Sequence, residues 1–281
     1  MGSAYGTLRD TSVGMMAFAP PRPPTYAVKT GTFYTRIPLA GGKQFLALKV
    51  FAPTGRANMV ASGERTVLLF AHGNADDLGS SQSQLQWYSD RMDMVTVSFD
   101  YPGYGHSSGA PSEAGVYQSV LAAYEYCVGH LNARHVVVVG KSLGSGAAAY
   151  LASHSDVTDA GILCGVALIS PLASGARVLS ATRFLPESVL CRLDGEFMPV
   201  REYMEKVTIP TCIVHGVNDT VVPVSNFYRL TRAVPSKYLH SAKLFPFRDH
   251  NDLESQSGEE LITFLREFAS DVLLPGSSGD I

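Results

Sequence analysis

One serine in this chain is placed where it could act as a nucleophile. Ser142 is the middle residue of Gly140-Lys141-Ser142-Leu143-Gly144, which follows a run of valines and precedes a stretch of small residues. This G-x-S-x-G pattern between a predicted strand and a predicted helix is typical of a sharp turn that exposes the serine hydroxyl above a sheet. Side chains at the two glycine positions would collide with the neighbouring strand and helix. The backbone N–H of Leu143 would then face a reacting carbonyl, as one half of an oxyanion hole.

Asp219 is the predicted acid of a catalytic triad. A serine hydroxyl is a weak nucleophile unless a base takes its proton, and the chain order that accompanies this turn is serine, acid, histidine. Asp219 follows the predicted strand at 211–215, although an aspartate there could instead cap the next helix. The adjacent Asn218 is a poorer candidate, because an amide does not stabilise an imidazolium as a carboxylate does.

His250 is the predicted base. It follows the last predicted strand and precedes the C-terminal helix, so it should reach the sheet edge that carries the serine. His250 would take the Ser142 proton and later donate it to the leaving group, while Asp219 fixes its tautomer. His215 ends a strand, where a packed ring is the simpler interpretation. The remaining histidines are less well placed along the chain: His72, His106, His130, His135, His154 and His240.

The second oxyanion donor should come from the loop after the third predicted strand, which reads HGNADD. Gly73 permits close backbone approach there, and the N–H of Asn74 is the predicted donor. An ordinary turn is one alternative. A metal site formed by His72, Asp76 and Asp77 is another, but no second cluster completes a ligand set. We expect neither metal nor cofactor, because a triad and two backbone donors suffice.

Two binding classes are disfavoured. The segment 100–109, DYPGYGHSSG, is glycine-rich, but its spacing does not fit the G-x-x-x-x-G-K-[ST] phosphate loop. We therefore predict a tight loop near the active site rather than a nucleotide site. The net charge of −3 and the absence of a basic tract in the sequence disfavour a nucleic-acid partner.

The candidate residues fall on loops between alternating strands and helices. Val116, Val120, Ala123 and Cys127 form an apolar face over 113–128, and a similar stripe covers 259–272. The strand candidates are mostly rich in Val, Ile and Leu without polar alternation, which suits strands buried on both faces. They span 32–38, 43–51, 66–71, 94–99, 135–140, 164–170, 211–215 and 241–247, and Ala40-Gly41-Gly42 predicts a hairpin between the first two. We predict an α/β fold with a mostly parallel sheet and helices on both faces.

Three further segments complete the predicted organisation of a domain at 32–275. Residues 1–31, with a proline run at 20–24, should form an irregular strap; a ligand for a proline-binding module is the alternative. Residues 172–208 are too long for a simple crossover, and we predict a small cap over the ligand-binding edge of the sheet. Residues 276–281 should be a flexible tail. Apolar cap residues either form an acyl-chain wall or pack the cap to the body: Val178, Leu179, Phe184 and Leu185.

The cysteines and the N-terminal sequence indicate the cellular compartment in which the protein works. Cys127, Cys164, Cys191 and Cys212 are scattered, which favours buried, reduced thiols in an intracellular protein. No stretch reaches the roughly 18 apolar residues of a membrane span, and no charged region precedes an apolar core as in a signal peptide. Gly6 does not fit the N-myristoylation pattern. We expect a cytoplasmic monomer, with peripheral membrane contact as a further expectation.

Taken together, the motifs resemble the alpha/beta-hydrolase-domain protein 17 group, a family that contains palmitoyl-protein hydrolases. Each motif alone is shared with other serine hydrolases, including bem46-type proteins, but the combination is more specific. The resemblance extends from about residue 15 to residue 270. The motifs, in order, are HGNA at 72–75, DYPGYGHSSG at 100–109, GKSLGSG at 140–146, HGVNDTV at 215–221 and HNDLE at 250–254.

This resemblance implies an α/β-hydrolase fold and cleavage of palmitoyl thioesters from cysteines of membrane-bound proteins. The family's nucleophile, acid and base fall on Ser142, Asp219 and His250. One feature departs from the family: its members carry a palmitoylated N-terminal cysteine cluster, whereas the first cysteine in this sequence is Cys127.

Two rival functions remain. A lipid or small-ester carboxylesterase would use the same acyl-serine mechanism and differ only in pocket shape. A non-catalytic scaffold of the same fold is less expected, because such proteins usually lose a triad residue and all three are present here.

Overall fold

The centre of the molecule is an eight-stranded sheet. It forms within the residues that the computed structural model describes, which are 17–27, 34–39, 41–61, 66–177, 189 and 197–273. Its strands are β1 Thr35–Pro38, β2 Phe45–Phe51, β3 Thr66–Ala71, β4 Val95–Phe99, β5 His135–Lys141, β6 Leu163–Ile169, β7 Thr211–Gly216 and β8 Leu239–Phe245. They lie in the order β1-β2-β4-β3-β5-β6-β7-β8. β2 pairs antiparallel with β1 and β4, and all other neighbours are parallel. The loops that follow strands β3 to β8 therefore meet at one edge.

Helices cover both faces of this sheet. They are α1 Asn58–Ala61, α2 Gln82–Met92, α3 Glu113–Gly129, α4 Gly144–Ala152, α5 Ser155–Thr158, α6 Val200–Met204, α7 Ser225–Ala233 and α8 Leu253–Leu273, with a 3-10 turn at Gly175–Arg177. Helices α2 and α8 contribute to one apolar core, and α3, α4, α6 and α7 contribute to the other.

The central strand β5 shows why the valine-rich segments form this sheet. Val136 and Val138 pack into one core, while Val137 and Val139 pack into the other. Because successive side chains of a strand point to opposite faces, a strand buried on both sides must be apolar at every position. The predicted α/β fold, with a mostly parallel sheet between helical layers, is confirmed.

The hairpin between β1 and β2 depends on glycine. Gly41 and Gly42 have φ angles of +89° and +69°, a left-handed region that side chains disfavour. The Leu39 N–H donates to the Gln44 carbonyl across the turn, at 2.9 Å. The predicted hairpin position is therefore correct.

The last strand ends earlier than predicted. The sequence pattern placed it at 241–247, but β8 ends at Phe245 because the chain turns there: the Phe245 carbonyl accepts from the N–H groups of Val217 and Arg248. Phe247 consequently lies outside the sheet and is 80% exposed. The helix predicted at 259–272 begins earlier, at Leu253, and has a kink at Ser257.

The strap and the cap are described only in part. Residues 17–27 of the strap lie on the body of the protein, with Phe18 and Tyr26 buried. Residues 1–16 and 28–31 lie outside the described residues. Much of the predicted cap and the tail from residue 274 also lie outside them, as do the acyl-wall candidates Val178, Leu179, Phe184 and Leu185.

The cysteines of the described part are unpaired. Cys127 and Cys212 are buried, and burial raises the pKa of each thiol to about 12. Cys164 is only half-buried, contrary to the prediction, because it lies near the start of β6 beside the exposed ring of His135. Cys191 lies outside the described residues. Among the helices that the structure describes, none has the length and apolarity to cross a bilayer.

Candidate active site

Ser142 lies on the predicted sharp turn between β5 and α4. Its φ angle is +52°, which is strained for a residue with a side chain and holds the hydroxyl at the carboxyl edge of the sheet. The flanking positions 140 and 144 must be glycine, because neighbouring backbone leaves no room for a side chain. A Cβ atom on Gly140 would lie 2.4 Å from the Gly144 carbonyl oxygen, and one on Gly144 would lie 2.0 Å from the Ala71 carbonyl oxygen.

The structure brings the three predicted triad side chains into contact. Nε2 of His250 lies 3.0 Å from Oγ of Ser142, and Nδ1 lies 2.7 Å from Oδ2 of Asp219. Asp219 and His250 are buried, while Ser142 is half-buried. Because a carboxylate only accepts, Nδ1 of His250 donates to it, which leaves Nε2 of a neutral ring free to accept the serine proton. The arrangement is that of a nucleophile, a base and an orienting acid.

Hydrogen bonds keep the Asp219 carboxylate ionised. Burial alone would raise its pKa, but the contacts from His215 and His250 and the N–H of Val222 lower the pKa well below its ordinary value. Oδ1 accepts from the N–H groups of Val221 and Val222, at 3.0 and 2.7 Å. Asp219 therefore does not serve only as a helix cap, since its other oxygen, Oδ2, contacts His250.

His215 is a neighbour of this carboxylate that the sequence did not reveal. The sequence pattern indicated a packed ring, and His215 is indeed fully buried. Its Nε2, however, lies 3.3 Å from Oδ2 of Asp219 and 2.8 Å from the Val222 carbonyl. Its position four residues before Asp219 was visible in the sequence, but the direction of the ring was not.

The loop after β3 lies directly against Ser142. A Cβ atom on Gly73 would be 3.8 Å from Cβ of Ser142, so the backbone approaches as closely as predicted. Neither the N–H of Asn74 nor that of Leu143 donates a hydrogen bond within the described part of the chain. These are the two amides predicted for the oxyanion hole.

Two tyrosines of the 100–109 loop brace the loop after β3. Tyr101 donates its hydroxyl proton to the His72 carbonyl at 2.8 Å, and Tyr104 donates to Oδ1 of Asn74 at 2.6 Å. The sequence pattern drew attention to the glycines of this segment and predicted its proximity to the site, but it did not identify these tyrosines as the contacts.

The strap holds the same loop from the other side. Oδ1 of Asn74 accepts from the Ala19 N–H at 3.0 Å, and Nδ2 of Asn74 donates to the Ala17 carbonyl at 2.8 Å. Further along, Thr25 donates both its N–H and its hydroxyl proton to Asp77. The backbone that carries the predicted Asn74 donor is therefore fixed through its side chain.

Protein groups already engage the residues of the alternative metal site. Nδ1 of His72 contacts the Gly73 carbonyl at 2.8 Å, and Asp77 accepts from Thr25. Within the described residues, no group of three His, Cys, Asp or Glu side chains has a geometry that could hold a metal ion.

Two polar contacts connect the loops of the triad. Asp249 accepts from the N–H of Thr220 at 2.7 Å, which joins the Asp219 loop to the His250 loop. Nζ of Lys141 lies 2.7 Å from Oε1 of Glu254, which joins the serine turn to the start of α8. Neither pair was predicted, because each joins residues distant in the sequence.

Comparison with known proteins agrees with this fold. The family model described as alpha/beta hydrolase fold matches residues 66–197. Among solved structures, a Pyrococcus furiosus esterase superposes with a TM-score of 0.63 at 17% identity, covering 92% of this chain and 98% of that one. The mouse alpha/beta hydrolase domain-containing protein 10 superposes with a TM-score of 0.59 at 15% identity, covering 86% of this chain and 100% of that one. At such identities these likenesses show the fold.

Sequence relatives identify the family. The chain is 32% identical to alpha/beta hydrolase domain-containing protein 17B of Xenopus laevis, over 72% of this chain and 68% of that protein. It is 31% identical to protein 17C of Homo sapiens, over 78% of this chain and 65% of that protein. The match to protein aho-3 of Caenorhabditis elegans, at 32% identity, spans 72% of this chain and 58% of that relative. The chain belongs to the alpha/beta hydrolase domain-containing protein 17 family.

Proposed function

We propose that the protein is a serine hydrolase that removes long-chain acyl groups, S-palmitoyl groups in particular, from cysteines of other proteins. The observation that carries the hydrolase mechanism is the continuous contact from Asp219 through His250 to Ser142, at 2.7 and 3.0 Å. The family resemblance favours an S-acylated protein as the substrate.

The reaction would proceed in two halves. Nε2 of His250 takes the Ser142 proton as Oγ attacks the thioester carbonyl, and the amides of Asn74 and Leu143 stabilise the oxyanion. Collapse of the intermediate breaks the C–S bond, and His250 donates its proton to the leaving cysteine thiolate. Water, deprotonated by the same ring, then releases the fatty acid from acyl-Ser142. Asp219 holds the ring and stabilises its charged form, so these steps need no metal.

A lipid or small-ester carboxylesterase is the second candidate. Two solved structures with the same fold are esterases, from Pyrococcus furiosus and Thermogutta terrifontis. The same triad would cleave an oxygen ester by the same steps. The scaffold alternative is weakened, because all three side chains are in contact.

The location follows from the proposed substrate. S-acylated proteins reside at membranes, so we propose that the enzyme works in the cytoplasm with peripheral contact to the bilayer. It needs no spanning segment of its own for this role.

The test combines active-site labelling with substrate profiling. A fluorophosphonate probe should label wild-type protein and fail to label Ser142→Ala, and a palmitoylated peptide should lose its acyl group only with wild-type protein. We expect the variant to lose at least about 10⁴-fold in kcat. Faster turnover of monoacylglycerol or short-chain esters than of acyl-cysteine would favour the carboxylesterase. Absence of both labelling and turnover would refute the hydrolase mechanism.

A further inference from the structure

His215 is a second histidine on the triad carboxylate. It lies in β7 and is fully buried, and its ring packs edge-on against Phe227 at a centroid distance of 6.4 Å. Nε2 lies 2.8 Å from the Val222 carbonyl, and a carbonyl oxygen can only accept, so Nε2 must carry a proton. The carboxylate of Asp219, at 3.3 Å, is then a second acceptor of the same N–H.

The other nitrogen of this ring indicates its tautomer. Nδ1 of His215 is buried and has no hydrogen-bond partner among the described residues. A proton there would be a buried donor without an acceptor, which is costly. The surroundings therefore fit a neutral ring with its only proton on Nε2, aimed at the loop that carries Asp219.

Both imidazoles meet the same oxygen of Asp219. Oδ2 lies 2.7 Å from Nδ1 of His250 and 3.3 Å from Nε2 of His215, while the backbone of the loop binds Oδ1. The charges of Asp219 and Asp249 also act on each other. The Nε2–H of His215, which lies in β7, thus fixes the direction in which the Asp219 carboxylate faces.

We propose that His215 is a positioning residue of the active site. Its Nε2–H ties the Val222 end of the loop to β7 and orients Oδ2 of Asp219 toward His250, without contact to the substrate. This inference rests on the proposed function, because the effect is on the base of that mechanism.

Two substitutions distinguish the hydrogen bond that His215 donates from the packing of its ring. His215→Gln keeps an N–H close to the position of Nε2, whereas His215→Leu fills similar space without a donor. We expect His215→Leu to lower kcat about 100-fold with KM little changed, since a small misplacement of the catalytic groups has effects of this size. The acid limb of its kcat/KM profile should move to lower pH, because a misplaced carboxylate stabilises the charged form of His250 less. His215→Gln should recover most of kcat and the original profile.

Phe227→Leu is the matched control. It disturbs the packing of the same ring and leaves the donor in place, so kcat should stay within about threefold of wild type, an effect below 1 kcal/mol. If Phe227→Leu and His215→Leu lower kcat equally, or if His215→Gln is as impaired as His215→Leu, the positioning role is wrong.

A spectroscopic readout makes the proposal independent of turnover. The proton on Nδ1 of His250 can be followed by NMR and assigned by its absence in His250→Gln. Its resonance should shift in folded His215→Leu and remain in place in His215→Gln. An unchanged resonance in His215→Leu would overturn the proposal, even if wild-type protein cleaved no ester and the proposed function had failed.

Discussion

At the scale of single residues, the site depends on one carboxylate. Asp219 accepts from His250, from two backbone amides and, more weakly, from His215. Burial by itself would favour the protonated acid, but these donors reverse that tendency and lower its pKa. The carboxylate therefore stays ionised beside the imidazole of His250.

Replacing this carboxylate should stop catalysis while leaving substrate binding intact. Asp219→Asn is expected to lower kcat about 10⁴-fold, because an amide presents the wrong partner to Nδ1 of His250. Asp249→Asn is the matched control. Asp249 also lies beside His250, but it binds the amide of Thr220 through an oxygen that asparagine retains. Steady-state kinetics on the same ester would test the pair; similar losses in both variants would contradict the assignment.

At the scale of elements, the contact between β3 and the start of α4 places Ser142. The helix begins so close to the end of β3 that only glycine fits at position 144. The loop after β3 starts at the same point, so this one contact sets the distance between Ser142 and the amide of Asn74. The strap, through Asn74, holds this loop from outside.

A methyl group at position 144 should push the start of α4 away from β3. Gly144→Ala places a Cβ atom 2.0 Å from the Ala71 carbonyl oxygen. We expect a loss of about 1–3 kcal/mol or more in the free energy of unfolding, because backbone must move. Labelling of Ser142 by a fluorophosphonate should fall as well. Urea denaturation and labelling rates measure both effects.

Gly129→Ala provides the comparison within the same protein. Gly129 is the last residue of α3, and a Cβ atom there meets nothing within 4 Å. Alanine should change stability by no more than about 1 kcal/mol and in the stabilising direction, because glycine is a poor helix residue. Equal destabilisation by both substitutions would show that the β3–α4 contact is not the cause.

At the scale of the whole molecule, buried carboxylates make stability depend on pH. Burial opposes the ionisation of Asp77 and Asp219, yet hydrogen bonds from Thr25 to the first and from the two histidines to the second lower both pKa values. A group whose pKa is lower in the folded state stabilises the fold above its unfolded pKa. That stability is lost as the pH falls through the folded value.

The free energy of unfolding should therefore decrease steadily below about pH 5. Asp77→Asn should be less stable than wild type at pH 7 and should show a shallower decrease toward pH 3. Asp159→Asn, at an exposed position, should keep the wild-type slope. Urea denaturation at a series of pH values measures the slopes; an unchanged slope for Asp77→Asn would rule out its contribution.

The sequence by itself determined which segments form strands and which residues follow them. Valine-rich runs such as 136–139 are apolar on both faces, and this pattern needs no knowledge of their neighbours. In a parallel sheet, a residue that follows a strand lies at the carboxyl edge, so the order of Ser142, Asp219 and His250 predicted their meeting place. Local chemistry also predicted the turns at Gly41 and Gly144.

Only the tertiary structure decided which polar side chains meet around that place. Thr25 and Asp77 are 52 residues apart, and Lys141 contacts Glu254 from a different layer of the fold. His215 was interpreted from sequence as a packed ring, because the direction of a buried side chain depends on what surrounds it. Strand formation follows from the apolar pattern of a short segment, whereas a hydrogen bond between distant residues depends on angles and distances that only the packed molecule sets.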